Sequence, residues 1–141
     1  MANYEYEHTV TTTAPADAVW ALWSDVSRWT EWDTSLEAIT LDGPFAPGSG
    51  GTMTIPGQPL ITYILTEVEP GVAFSDETAI PGGVLRFGHR LTTADGLTTI
   101  THRVEIDGPP EMAKEFGPVV TEDVPEAMRA LAKLAEASCR V

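Results

Sequence analysis

The residues best placed to do chemistry in this sequence are its three histidines, His8, His89 and His102, and a few acids set in strand-like text. Asp95-Gly96 is a favoured two-residue hairpin turn, and continuing its pairing outward sets His89 directly opposite His102. Alternation then assigns a side. Leu85, Phe87, His89 and Leu91 oppose Arg86, Gly88, Arg90 and Thr92, while Ile100, His102, Val104 and Ile106 oppose Thr99, Thr101, Arg103 and Glu105. Both histidines fall on the apolar face. His8 shares the apolar face of its own segment with Tyr4, Tyr6 and Val10. Inward imidazoles of this kind serve as ligand contacts, as acid/base groups, or as buried polar groups satisfied by a hydroxyl or water.

A carboxylate partner would come from residues 72–79. Phe74, Asp76 and Thr78 share one face there, against Ser75, Glu77 and Ala79. If Phe74 marks the interior, Asp76 becomes the inward acid able to orient a histidine or act as general base; a bulge would put Glu77 there instead, and a surface carboxylate is the plainer alternative. Tyr63 and Leu65 are the matching inward candidates of the neighbouring segment. Other patterns carry less. Gly48-Ser49-Gly50-Gly51 lacks the lysine of a phosphate-binding loop and reads as a hairpin loop. Cys139 has no nearby partner in sequence, no internal disulfide is available to it, and it is not a candidate nucleophile.

Those side chains need elements to hold them. Residues 4–12 alternate in polarity as a half-buried strand does. TAPADAVWALWSD predicts a short helix with Pro15 in its first turn, and DVSRWTEWD a second helical step. Trp20/Trp23 and Trp29/Trp32 repeat at helical spacing, which reads mainly as packing, with Trp32 a candidate for a cavity mouth and Asp33 a turn, cap or site residue. From 36 to 106, Gly- and Pro-containing turns separate six strands near 36–42, 52–56, 60–69, 72–79, 84–94 and 97–107. After Gly108-Pro109-Pro110 the pattern is helical, with Val124, Met128, Leu131 and Leu134 at three- and four-residue steps. Pro118 and Pro125 are expected to start, kink or interrupt that segment, leaving 125–137 as its best-formed part.

Length and composition bound the answer. The 141 residues suit one domain spanning 1–141, with 43% hydrophobic and 21% charged residues. The formal charge of −13 disfavours phosphate backbones and anionic lipid surfaces, so a nucleic-acid partner is not expected. No apolar run reaches the roughly 20 residues that span a bilayer, so integral membrane association is not expected either. The first residues lack the basic-then-apolar pattern of a signal peptide, and a cytoplasmic location is the expectation.

A long meander with one substantial helix to cover it must curl around that helix. This order, with APADAVWALWSDVSRWTEWD near the start and PEAMRALAKLAEA at the end, resembles the polyketide cyclase/dehydrase and lipid-transport family, also called SRPBCC, grouped with START and birch-pollen-allergen-like domains. The resemblance implies an α+β helix-grip fold: a seven-stranded curved antiparallel sheet wrapped around a long C-terminal helix, with two short helices after the first strand. It implies that the first strand lies beside the last, so that His8, His89 and His102 point into one cavity, where a metal ion is an alternative to direct ligand contact. It implies no shared catalytic motif, because one scaffold serves binders, chaperone co-factors and enzymes. The leading expectation is a binding module for a small apolar or amphipathic, lipid-, polyketide- or aromatic-like molecule. Its cavity would be lined by Tyr6, Trp32, Tyr63, Phe87, Leu91, Val104 and Met128, with His8, His89 and His102 as polar contacts. The alternative is an aromatase/cyclase or dehydratase using His89, His102 and Asp76. No cofactor is expected, and the chain is expected to be a monomer or homodimer.

Overall fold

In the computed structural model, which describes residues 3–138, the chain runs β1 (Tyr4–Thr12), α1 (Ala16–Ser24), a 3₁₀ helix (Val26–Glu31) and β2 (Ala38–Ile39). It continues through β3 (Gly50–Thr54), β4 (Ile61–Glu69), β5 (Ala73–Ile80), β6 (Gly83–Ala94) and β7 (Leu97–Asp107), and ends in α2 (Pro110–Thr121) and α3 (Val124–Ser138). The strands form one antiparallel sheet in the order β1-β7-β6-β5-β4-β3-β2. Each hairpin meander neighbour pairs with the next, and β1 closes onto β7. Its inner face and α3 enclose the core, in which Val19, Ile100, Val104, Ile106 and Ala135 have no exposed surface.

The β6–β7 hairpin follows its turn. Asp95 and Gly96 both take positive φ, 54° and 78°, as a type I′ turn requires, and the pairing runs from Ala94↔Leu97 through His89↔His102 to Val84↔Asp107. On the other side of β7, His8 pairs with His102. The irregularity in β4–β5 pairing lies between Leu65 and Glu67, on β4. β5 therefore keeps its alternation, Phe74, Asp76 and Thr78 all face inward and are buried, and Glu77 faces outward to Arg86 at 3.0 Å.

The strand expected over 36–42 is only two residues long, with an isolated bridge between Asp42 and Gly50. Tyr63 explains the shortening. Its hydroxyl donates to the Thr40 carbonyl at 2.6 Å, and Thr40 Oγ1 instead accepts from the Thr52 amide at 3.0 Å, so the ladder is interrupted at Thr40. The strand expected over 52–56 begins two residues earlier, at Gly50, and ends before the Pro56-Gly57 turn.

Pro15 sits just outside α1 in extended conformation (φ −67°, ψ 155°) rather than within its first turn, and Asp17 supplies the acidic residue there. The C-terminal segment is broken, but not at Pro118. That residue is exposed inside α2, where the carbonyl freed by its missing N–H can meet water. The break falls between Thr121 and Val124, and Pro125 occupies the first turn of α3, where a missing donor costs nothing. Cys139 lies outside the described residues.

Candidate functional site

Alternation on three adjacent strands brings Phe74 and Asp76 of β5, Phe87 and His89 of β6, and Ile100 and His102 of β7 to one concave surface. α1 and the 3₁₀ helix add Trp23, Trp29 and the adjoining Trp32, and α3 closes the space with Met128 and Leu131. The result is a cavity of about 110 Å³ with a mostly aromatic and aliphatic wall. Phe74 is its hub. Trp23, Trp29 and Phe45 meet its ring at 5.3, 5.9 and 5.0 Å between centroids, and the His89 imidazole stacks on it at 3.9 Å with 6° between planes. His102 follows at 4.4 Å from His89, its ring tilted by 38° to that of His89.

The polar groups deep in the cavity are few: Asp76, His89 and His102. His89 Nδ1 lies 3.3 Å from the Phe74 carbonyl oxygen. A carbonyl only accepts, so the proton of neutral His89 belongs on Nδ1 and Nε2 is left as an acceptor. Burial and the neighbouring His102 hold the His89 imidazole well below the usual histidine range. Burial and His8 push His102 down to about 4. Its Nε2 is enclosed without a hydrogen-bond partner among the described residues, at a cost of about 1–3 kcal/mol. Asp76 is shifted the other way: burial, and then the charge of Glu77, push its carboxyl up to about 8. It is therefore mainly protonated at pH 7, a hydrogen-bond donor and a potential general acid. The orienting role expected of Asp76 falls to β5's backbone and ring instead: His89 is held by the Phe74 carbonyl and by stacking on the Phe74 ring.

Of the residues singled out from sequence, Trp32, Asp76, Phe87, His89, His102 and Met128 line the cavity. Tyr6, His8, Tyr63, Leu91 and Val104 do not. Leu91 and Val104 are buried in the core, and Tyr63 is committed to the Thr40 carbonyl and to stacking on Trp29. Tyr6 and His8 lie on β1, beside the cavity strand β7 and under α2 and α3, with His8 paired to the cavity-lining His102. Among the described residues no group of three His, Cys, Asp or Glu side chains is disposed to hold a metal ion, so the three-histidine metal alternative lacks a ligand set. His8 and His89 flank His102 on the two neighbouring strands, so the three lie in a row across β1, β7 and β6. Asp33 lines the cavity while its Oδ1 accepts from the Ser35 amide at 3.1 Å, so it is a turn residue at the rim. Sequence reasoning left out Trp23, Trp29, Leu36, Met53 and Leu131 as lining residues. Helical spacing marked the tryptophans and Leu131 as inward, but spacing does not tell a cavity wall from solid core.

Comparison with solved structures finds the same fold at low identity. The aromatase/cyclase Zhui from Streptomyces sp. R1128 aligns with a TM-score of 0.78 and 20% identity over 98% of this chain and 96% of that one. A norcoclaurine synthase point mutant from Thalictrum flavum, in complex with a transition-state analogue, gives 0.77 and 17% over 97% and 96%. Ara h 8.0201 gives 0.74 and 14% over 95% and 98%. At these identities the likeness establishes the helix-grip fold. Comparison with curated proteins finds no match. The family model described as polyketide cyclase / dehydrase and lipid transport matches residues 4–136, nearly the whole described chain, and the protein belongs to that family.

Proposed function

We propose that this protein binds a small, largely apolar ligand in the cavity between its sheet and α3. The observation that carries the reading is the composition of that wall. Aromatic and aliphatic side chains surround a small set of neutral polar groups, Asp76, His89 and His102, the pattern by which apolar molecules are enclosed and oriented. Family membership supports it, since the family description names lipid transport and polyketide chemistry, and the structural relatives include an aromatase/cyclase and a norcoclaurine synthase. Native mass spectrometry of the purified protein tests it. The expected result is an added organic mass, carried from the cell or taken up from a panel of apolar molecules, with a matching change in tryptophan fluorescence from Trp23, Trp29 and Trp32. A protein that neither carries nor takes up any organic molecule would overturn the reading.

A second reading, acid/base catalysis on the bound molecule, is favoured by one observation: a protonated carboxyl and a neutral imidazole acceptor share the cavity. Asp76 would donate a proton and His89 Nε2 would take one, as enolisation or loss of water requires. Catalysis predicts that Asp76→Asn abolishes turnover while ligand uptake persists; loss of uptake alone would leave binding as the role.

A further inference from the structure

The size and polarity of the cavity narrow the ligand beyond an apolar molecule. A cavity on the order of 150 Å³ lined by aliphatic and aromatic groups takes one benzene ring. This one measures about 110 Å³, somewhat smaller, so a single unfused ring is the size that it matches, and fused rings or an acyl chain exceed it. Its wall favours an aromatic ring, since Trp23 and Trp29 each already meet Phe74 at ring-packing distance.

The polar atoms specify what the ring carries. Asp76 and His89 are diagonal neighbours on the inner face of the β5–β6 pair, because Asp76 pairs with Phe87 and His89 with Phe74. Diagonal positions stand roughly 7 Å apart, near enough for one hydroxyl to touch both side chains. A hydroxyl is suited to that place because it both accepts and donates: it takes the Asp76 proton in one hydrogen bond and gives its own to His89 Nε2 in another. No lysine or arginine lines the cavity, so a carboxylate ligand would find no counter-charge. An ammonium ligand would need Asp76 ionised where burial holds it neutral, and the rim carboxyl of Asp33 is turned to Ser35.

Building on the binding reading above, we propose that the ligand is a neutral, single-ring hydroxylated aromatic, a phenol, with its hydroxyl held between Asp76 and His89 and its ring among the tryptophans.

Calorimetric titration of the intact protein with phenol, benzene, benzoate, benzylamine, 1-naphthol and palmitate tests it. Phenol is expected to bind one to one, roughly tenfold tighter than benzene, the worth of two neutral hydrogen bonds net of water. Benzoate, benzylamine, 1-naphthol and palmitate are expected to bind more weakly than phenol. Asp76→Leu and His89→Phe, which keep the apolar volume and the stack, should bring phenol to the affinity of benzene while benzene still binds, which also shows that they fold. Asp76→Asn, which keeps a donor, should retain most of the preference. Equal binding of phenol and benzene by the unaltered protein would overturn the proposal, as would tighter binding of either ion. Uptake of 1-naphthol or palmitate without phenol would overturn it while leaving the binding reading in place. If none of the six binds, this proposal fails, and the binding reading fails with it only where native mass spectrometry also finds no organic molecule on the protein.

Discussion

At pH 7 the carboxyl of Asp76 holds the proton that it would give up in water, and the imidazoles of His89 and His102 stay neutral well below the pH at which they would take one up in water. Each departure has a stability consequence of known sign. The folded pKa of the histidines is depressed, so the unfolded chain binds more protons below about 6.5, and stability is lost as pH falls through that range. The folded pKa of Asp76 is raised from 3.8 to about 8, so the folded chain holds the extra proton, and stability declines as pH rises between those values. Between about 6.5 and 8 only the second effect operates, with a limiting slope of about 1.4 kcal/mol per pH unit. Urea unfolding across pH 5–8.5 should therefore show the unaltered protein losing stability relative to Asp76→Asn as pH rises, with the difference levelling off above pH 8. A difference that stays flat would mean that the carboxyl is ionised in the folded state. The lowered histidines were legible from sequence, because turn geometry and alternation placed two imidazoles together on a buried face. The neutrality of Asp76 was not, because desolvation depends on what the other strands and α3 bring over it.

Among the helices, α2 is held to the sheet by a contact that needs a glycine. A Cβ at Gly117 would lie 2.5 Å from the Tyr4 ring, so the ring of β1 packs directly against the backbone of α2. The Tyr4 hydroxyl reaches Thr121 Oγ1 at 3.2 Å one turn later. Alanine is the better helix former by about 1 kcal/mol, whereas overpacking costs about 1–3 kcal/mol, so the clash should win. Gly117→Ala is expected to destabilise the protein, yet to become neutral or stabilising in a Tyr4→Ala background, where the obstacle is gone. A double-mutant cycle by urea unfolding reads the coupling, and additive effects would mean that the ring moves aside without cost. The strands of the meander could be read from sequence within a few residues, since Gly- and Pro-containing turns bound them and alternation is intrinsic to the pleat. What escaped was set by distant partners. Tyr63 shortens the edge strand at Thr40, and solvent on the outer face of α2 lets Pro118 stay inside a helix. The tryptophan pairs were placed inward by spacing, but their division between core and cavity wall depends on Phe74, far along the chain on β5.

For the molecule as a whole, charge lies on the surface and at the cavity's rim, where Asp33 stands, and no lysine or arginine lines the cavity. The formal charge is −13, and among its few cations Arg86 lies within 3.0 Å of Glu77, while Arg103 reaches Glu5 at 2.9 Å and Glu105 at 3.1 Å. A duplex gel shift at physiological salt and micromolar protein should show no binding, because counterion release needs a positive surface. Inside, the neutral space depends on Leu131, which is 2% exposed and stands on α3 as one wall of the cavity. Truncating it removes buried carbon atoms from the junction of helix and sheet, and the loss is expected to be about 2–5 kcal/mol in urea unfolding. The void joins the existing cavity rather than forming a separate one, so the same change should enlarge what the protein accepts. A two-ring probe such as 1-naphthol is then expected to raise the Tm of Leu131→Ala by more than it raises that of the unaltered protein, since a ligand that binds only the folded state stabilises it in proportion to its affinity. A loss below about 1 kcal/mol would mean that α3 settles inward and closes the gap. A normal loss with no gain from naphthol would mean that the Leu131 side chain seals the core but does not bound the ligand space.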